Sequence, residues 1–168
     1  YIIKDGKIRV SGRDEGLTSD VIMRIKKDWS RDLYWMVTSN SIEYMKDGII
    51  YAVTKFPYSN NYDIFIDEHD DAWILASNGI YITTVMDLTE NSKIDFDFYN
   101  LRSGLPYIAT GNSRDHLGED GMLYIAGTTG ICAVNINEDD PESKEVGLVI
   151  PSVEVDDREI MVKAGDTL

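Results

Sequence analysis

Six residues of this 168-residue chain carry groups suited to holding a polar ligand: Ser19, Asp20, Tyr58, Asn60, Asn61 and Tyr107. Hydroxyls, amides, a carboxylate and two flat phenol rings fit a polyhydroxylated molecule such as an oligosaccharide. Each sugar hydroxyl needs a donor or an acceptor, and each apolar sugar face needs a flat surface. The residues sit in three short segments, Thr18-Ser19-Asp20, Tyr58-Ser59-Asn60-Asn61 and Tyr107-Ile108. Each segment leads into a strand-like run, the place where a rigid scaffold presents binding loops. Ser and Asn are also common turn formers, so the residue types leave both uses open. If Tyr58 and Tyr107 touch ligand, truncating either to Ala weakens binding and leaves the melting temperature nearly unchanged.

Other chemistry is thin. Asp67-Glu68-His69-Asp70-Asp71 offers oxygens to calcium. It lacks the alternating ligand positions and central glycine of an EF-hand loop, and reads as a solvated turn. Asp95 and Asp97 alternate with Phe96 and Phe98, as on an edge strand with one wet face. His69 and His116 fall near turns of different units, too far apart to share a metal or form a dyad. No glycine-rich phosphate loop, Ser-His-Asp order or paired-cysteine motif occurs. The sequence therefore assigns no catalytic residue, no metal and no cofactor. Cys132, the one cysteine, reads as a small buried apolar residue in a strand.

The elements that position these groups repeat. Ser-Asn-Ser-Ile at 39–42 returns as Ser-Asn-Gly-Ile at 77–80 and Thr-Thr-Gly-Ile at 128–131, each beginning four residues after an aromatic: Trp35, Trp73 and Tyr124. The longer second interval is accounted for by one insertion, Met86–Tyr99. Within the first copy, Val21, Met23 and Ile25 alternate with Ile22, Arg24 and Lys26 at the period of a strand. Leu33–Val37, Ile42–Met45 and Ile49–Val53 follow, separated by polar turns. Asp47-Gly48 and Asp120-Gly121 are hairpin signals, and Gly79, Gly121 and Gly130 stand where tight turns call for positive φ. Four short strands joined by three hairpins make an antiparallel meander, the blade of a β-propeller. Trp35, Trp73 and Tyr124 read as packing anchors between blades. A generic β-sandwich explains the turns but not the repetition.

The fold class that follows is all-β: a partial β-propeller of about three four-stranded antiparallel blades, then the start of an immunoglobulin-like β module. Residues 1–9 resemble the outer hairpin of a preceding blade, so the chain reads as a piece of a longer protein. The blades span 10–56, 57–103 and 104–137. A charged linker covers 138–150, and 151–168 opens the second module, with Pro151-Ser152-Val153-Glu154-Val155 alternating as a strand.

Net charge is −14, with 30 acidic against 16 basic side chains. That balance opposes nucleic acid and anionic membrane surfaces as partners. No stretch reaches the roughly 18 apolar residues of a membrane helix.

Gly-Leu-Thr-Ser-Asp-Val (16–21), Asp28, Leu33-Tyr34-Trp35-Met36-Val37-Thr38 and Ser39–Ile42 together resemble the two-component regulator propeller repeat. Gly104-Leu105-Pro106 opens the last copy in the same style, and Gly121–Ile131 is its nearest match to the repeat consensus. Ser41 stands where the repeat has glycine, and Phe56-Pro57 where it has Gly-Leu. Pro151–Leu168 resembles the start of the immunoglobulin-like YYY domain that follows such propellers. The resemblance implies an extracytoplasmic sensor region, periplasmic or at the cell surface, of a bacterial transmembrane signalling protein. In that family a membrane helix and a histidine kinase or diguanylate cyclase output domain follow, in segments outside this chain. It also implies carbohydrate sensing or signal relay without catalysis. The partners implied are an oligosaccharide or other small ligand, and self-association through the propeller or open blade edges. The alternative is a fragment of a secreted propeller polysaccharide lyase or glycosidase, which needs acid and base groups converging on the central funnel. Such a constellation is not evident in these copies. A WD-type scaffold is disfavoured, since no copy has a Gly-His opening or a Trp-Asp ending.

Overall fold

The computed structural model describes residues 1–57, 59–138, 152–155 and 158–161. Two compact units divide the chain, Tyr1–Asn137 and Glu138–Leu168. Among the described residues the first unit is all-β: thirteen strands in four antiparallel sheets, with a single short α-helix. No helix among them is long and apolar enough to cross a membrane.

Strands β1 (Ile2–Lys4) and β2 (Lys7–Arg9) form a hairpin. The first large sheet runs β3 (Ile22–Asp28), β4 (Leu33–Thr38), β5 (Ile42–Lys46), β6 (Ile49–Ala52), in that spatial order. Its β5–β6 turn places Asp47 and Gly48 both at positive φ, 52° and 78°. That is the geometry a two-residue hairpin turn needs to match strand twist. The second sheet has the same order: β7 (Asn61–Ile66), β8 (Asp71–Ala76), β9 (Gly79–Thr84), β10 (Asp97–Tyr99). Between β9 and β10 lies α1 (Val85–Glu90), capped by the Thr84 hydroxyl, which accepts the Asp87 N–H. The segment expected as an insertion thus holds this helix and the fourth strand of its sheet. The third sheet departs from the expected four strands. Its described members are β11 (His116–Leu117), β12 (Met122–Ala126) and β13 (Ile131–Asn135), with a single bridge from Ala109 to Gly127 extending its inner edge. In the second unit β14 (Ser152–Val155) pairs antiparallel with β15 (Arg158–Met161); the rest of the expected linker and module lies outside the described residues.

The large sheets stack face to face around two cores. Leu33, Trp35, Val37 and Ile42 of the first sheet meet Ile64, Ala72, Ile74, Ala76 and Tyr81 of the second. The other face of the second sheet gives Phe65, Leu75 and Ile80 to Leu123 and Ile125 of the third. Side chains alternate across each strand, so a strand between two neighbours is apolar on both faces. That explains why Trp73-Ile74-Leu75-Ala76 reads as a continuous apolar run. The aromatic repeat behaves less uniformly than expected. Trp35 is buried and Trp73 half-buried, but Tyr124 is exposed, because no sheet among the described residues covers its face.

Two further details recur. Both β3–β4 and β7–β8 carry a bulge at the matching place, between Ile22 and Arg24 and between Asn61 and Asp63. The links into the first and third sheets are the same capped turn. Gly12–Leu17 and Asn100–Leu105 each hold one 3-10 turn, with the residue at its third position (Glu15, Ser103) accepting the N–H of the cap residue at 2.6 Å. A left-handed glycine, Gly16 or Gly104, ends each turn. Gly130, by contrast, is not at positive φ; a different constraint, described below, requires its small size.

Candidate functional site

Where the lead-in segment 106–111 crosses the start of β7 and the turn after β12, a groove of about 480 Å³ opens. Tyr62, Ser77, Pro106, Thr110, Thr128 and Thr129 are among its lining residues, together with Tyr107. Two phenol rings and four Ser or Thr hydroxyls share this surface with the aliphatic groups of Leu101, Pro106, Ile108 and Ala109. No carboxylate, imidazole, amine or guanidinium group is among its lining residues. Such a surface can hold a neutral polar molecule by stacking and hydrogen bonding, without a group that transfers protons at neutral pH.

Among the described residues Tyr107 is the one expected ligand residue that lines this groove, and its geometry gives it a second duty. Its hydroxyl donates to the Ile131 carbonyl at 3.1 Å. A Cβ added at Gly127 would lie 2.8 Å from the ring, and one at Gly130 would lie 2.7 Å from the phenol oxygen. The ring is therefore laid on the 127–130 turn, which must be glycine at both ends to receive it. Truncating Tyr107 removes packing as well as groove surface, so a lowered melting temperature is the outcome expected for it.

The other expected residues are dispersed. Ser19 is buried and caps its own turn, its hydroxyl accepting the Val21 N–H at 3.1 Å. Asp20 is exposed and paired with Arg13 at 2.9 Å. Neighbouring Thr18 is tied down by Glu43, a fully buried carboxylate that accepts the Thr18 N–H at 2.8 Å and the Thr18 hydroxyl. Asn60 is exposed, whereas Asn61 is fully buried and neither atom of its amide has a hydrogen-bond partner. Tyr58 lies outside the described residues. No structural feature brings Ser19 and Asp20 to the groove of Tyr107.

A charged constellation that sequence reasoning missed ties the first strands of the sheets together. Lys26 Nζ of β3 lies 2.6 Å from Asp63 Oδ1 of β7 and 3.1 Å from the centre of the Phe65 ring. Arg24 Nε is 3.4 Å from Asp63 Oδ2, and its guanidinium also donates to the Ser113 carbonyl. Nearby Asp115 accepts the Ala126 N–H at 2.8 Å. Burial pulls the Lys26 amine below its ordinary value, partly offset by Asp63. Burial also raises the Asp115 carboxyl, against the pull of the Ala126 N–H and with the help of the Asp63 charge. The sequence signal was Arg24 and Lys26 alternating with apolar residues on an inner strand. Their partner lies on another repeat, so no local pattern announces it. These groups neutralise one another across sheets, which is the behaviour of a tie rather than of a free acid and base.

At the opposite end of the stack the hairpin tips meet. Arg31 bridges Asp28 of its own sheet at 3.0 Å and Asp70 of the next at 2.5 Å. Asp67 and Asp71, expected as a solvated turn, are partly structural: Asp67 accepts the His69 and Asp71 N–H groups at 2.9 Å each. Among the described residues no group of three or more His, Cys, Asp or Glu side chains is placed to hold a metal ion.

Comparison with protein-family models and with curated proteins returns no match to this chain.

Proposed function

We propose that this chain is part of the extracytoplasmic sensor region of a bacterial transmembrane signalling protein. In this reading its stacked sheets are propeller blades, the β14–β15 hairpin opens an immunoglobulin-like module, and the segment binds or relays without catalysis. The recurrence of strand order, bulge position and capped lead-in turn supports the propeller part of the reading. The observation that carries the functional part is the groove beside Tyr107, lined by phenol rings, hydroxyls and aliphatic groups and lacking carboxylates, imidazoles and amines. Its chemistry suits a neutral oligosaccharide better than a substrate whose bonds must be broken.

The test is titration of the full chain with a panel of neutral and acidic oligosaccharides, followed by calorimetry and by chromatography of the sugar. The expected result is saturable binding of a neutral member with the sugar recovered intact. Replacing Thr128 and Thr129 together by Ala should weaken that binding at least tenfold at an unchanged melting temperature, because both side chains are exposed. Cleavage of the sugar would move the case to the lyase or glycosidase. Absence of binding across the panel would remove the groove as an oligosaccharide site.

A further inference from the structure

We propose that Asn78 is a site of spontaneous deamidation, guarded in the folded chain by the hydroxyls of Ser59 and Tyr81. Asn78-Gly79 is the one Asn-Gly pair in the sequence. In such a pair the glycine nitrogen, unhindered by a side chain, attacks the asparagine Cγ. The new Cγ–N bond closes a five-membered succinimide, the Cγ–Nδ2 bond breaks, and ammonia leaves. Water then opens the ring at either carbonyl, giving aspartate or isoaspartate, each with one added negative charge.

Two separate demands of the fold bring this pair together. Gly79 is at positive φ, 151°, and a Cβ there would strike the Tyr99 carbonyl oxygen, so the close approach of β9 and β10 admits no larger residue. Asn78, exposed in the turn between β8 and β9, uses both ends of its amide. Its Nδ2 donates to the Tyr81 hydroxyl at 2.8 Å, and its Oδ1 accepts the Ser59 hydroxyl at 3.0 Å. Both partners are anchored. Ser59 is buried, and Tyr81 is buried with the ring centroids of Phe56, Phe96 and Phe98 within 5.2 Å of its own. The matching turns of the other sheets carry Asn40-Ser41 and Thr129-Gly130, so only this turn combines the amide with the glycine.

Ring closure requires the amide to rotate toward the Gly79 nitrogen and so to leave both hydroxyls, each a hydrogen bond to be given up. The guard is therefore mechanical: it holds the Cγ away from the attacking nitrogen for as long as both clamps are made. The product adds its charge beside Ser77, which lines the groove. The assignment does not depend on what the groove binds.

Peptide mass spectrometry of the full chain, incubated at neutral pH and body temperature, follows the gain of about one dalton at Asn78. Asn112-Ser113 serves as the internal reference, so that any rise in global unfolding cancels in the ratio of the two rates. The expected ratio is at least tenfold lower in the folded chain than in the same chain unfolded in urea. Ser59→Ala and Tyr81→Phe, each removing a single hydroxyl, should raise the folded-chain ratio at least threefold. Equal ratios in folded and unfolded chain would overturn the proposal. So would ratios that both substitutions leave unchanged, and a lower ratio in Ser59→Ala would show that its hydroxyl activates the carbonyl instead of restraining it.

Discussion

Asp28 accepts the indole N–H of Trp35 through Oδ2 at 3.3 Å, closing the turn between β3 and β4 from inside. The next sheet repeats the contact, with Asp67 Oδ2 accepting the Trp73 indole at 2.8 Å. In the third sheet both members change together: Gly118 stands in place of the aspartate and Tyr124 in place of the tryptophan. A buried indole N–H needs an acceptor, and a phenol on an exposed face does not. The aspartate of the repeat therefore answers to the tryptophan seven or six residues later, and the pair is the unit that recurs.

Asp28→Ala leaves the Trp35 indole and the Arg31 guanidinium without their shared acceptor, and should cost about 2 kcal/mol. In a double-mutant cycle with Trp35→Phe the two changes should couple by about 1 kcal/mol, measured by urea unfolding. Additive effects would mean that the hydrogen bond contributes nothing beyond packing.

The same carboxylate sets an acid dependence. Burial alone would raise the Asp28 carboxyl, but hydrogen bonds from Ser30, Arg31 and Trp35 outweigh it and hold the group below its ordinary value. A carboxyl lowered in the folded state stabilises above its unfolded value, about 3.9, and that stabilisation is lost as pH falls through the folded value. The difference in unfolding free energy between wild type and Asp28→Asn should be constant near neutrality and shrink below about pH 4. A difference that does not change with pH would sink this assignment.

Asp115 has the opposite sign. Its carboxyl is raised, chiefly by burial. Its contribution is present below the unfolded value and lost as pH rises through the folded one. Asp115→Asn keeps an oxygen for the Ala126 N–H and removes the buried charge. The variant should gain stability relative to wild type as pH rises from about 4 toward neutrality. A parallel pair of curves would show that the Asp115 charge is solvated.

Asp63→Ala strands Arg24 and Lys26 without their carboxylate between two sheets. The expected loss is about 3 kcal/mol, and adding Lys26→Met should recover part of it by removing one uncompensated charge. If the second change costs further stability, Lys26 contributes mainly through its contact with Phe65 and not through the ion pair.

Tyr107→Ala should lower stability by about 2 kcal/mol, since it empties the cradle formed by Gly127 and Gly130. Gly127→Ala should destabilise by about 1–3 kcal/mol in wild type and by less in the Tyr107→Ala background, where the ring it would strike is gone. Equal effects in both backgrounds would place the strain in the backbone instead.

Strand positions were legible in the residues of this chain because they depend on neighbours in sequence. Alternation over Ile22–Lys26, the Asp47-Gly48 turn and the recurring Ser-Asn-x-Ile run all report local geometry, and β3 to β6 lie within a residue or two of their expected bounds. The capped lead-in turns were half visible, in Gly16-Leu17 and Gly104-Leu105. What the residues could not disclose is which groups meet between repeats. Lys26 and Asp63, and Arg31 and Asp70, are joined by sheet stacking, and no period or spacing along the chain encodes that juxtaposition. For the same reason Ser19, Asn61 and Tyr107 look alike in sequence yet differ in the structure: one caps a turn, one is buried with an unpaired amide, and one floors a groove. Local chemistry determined the strands and turns of this protein. Only the stacking of one sheet on the next decided which side chains are buried, paired or left open to a ligand.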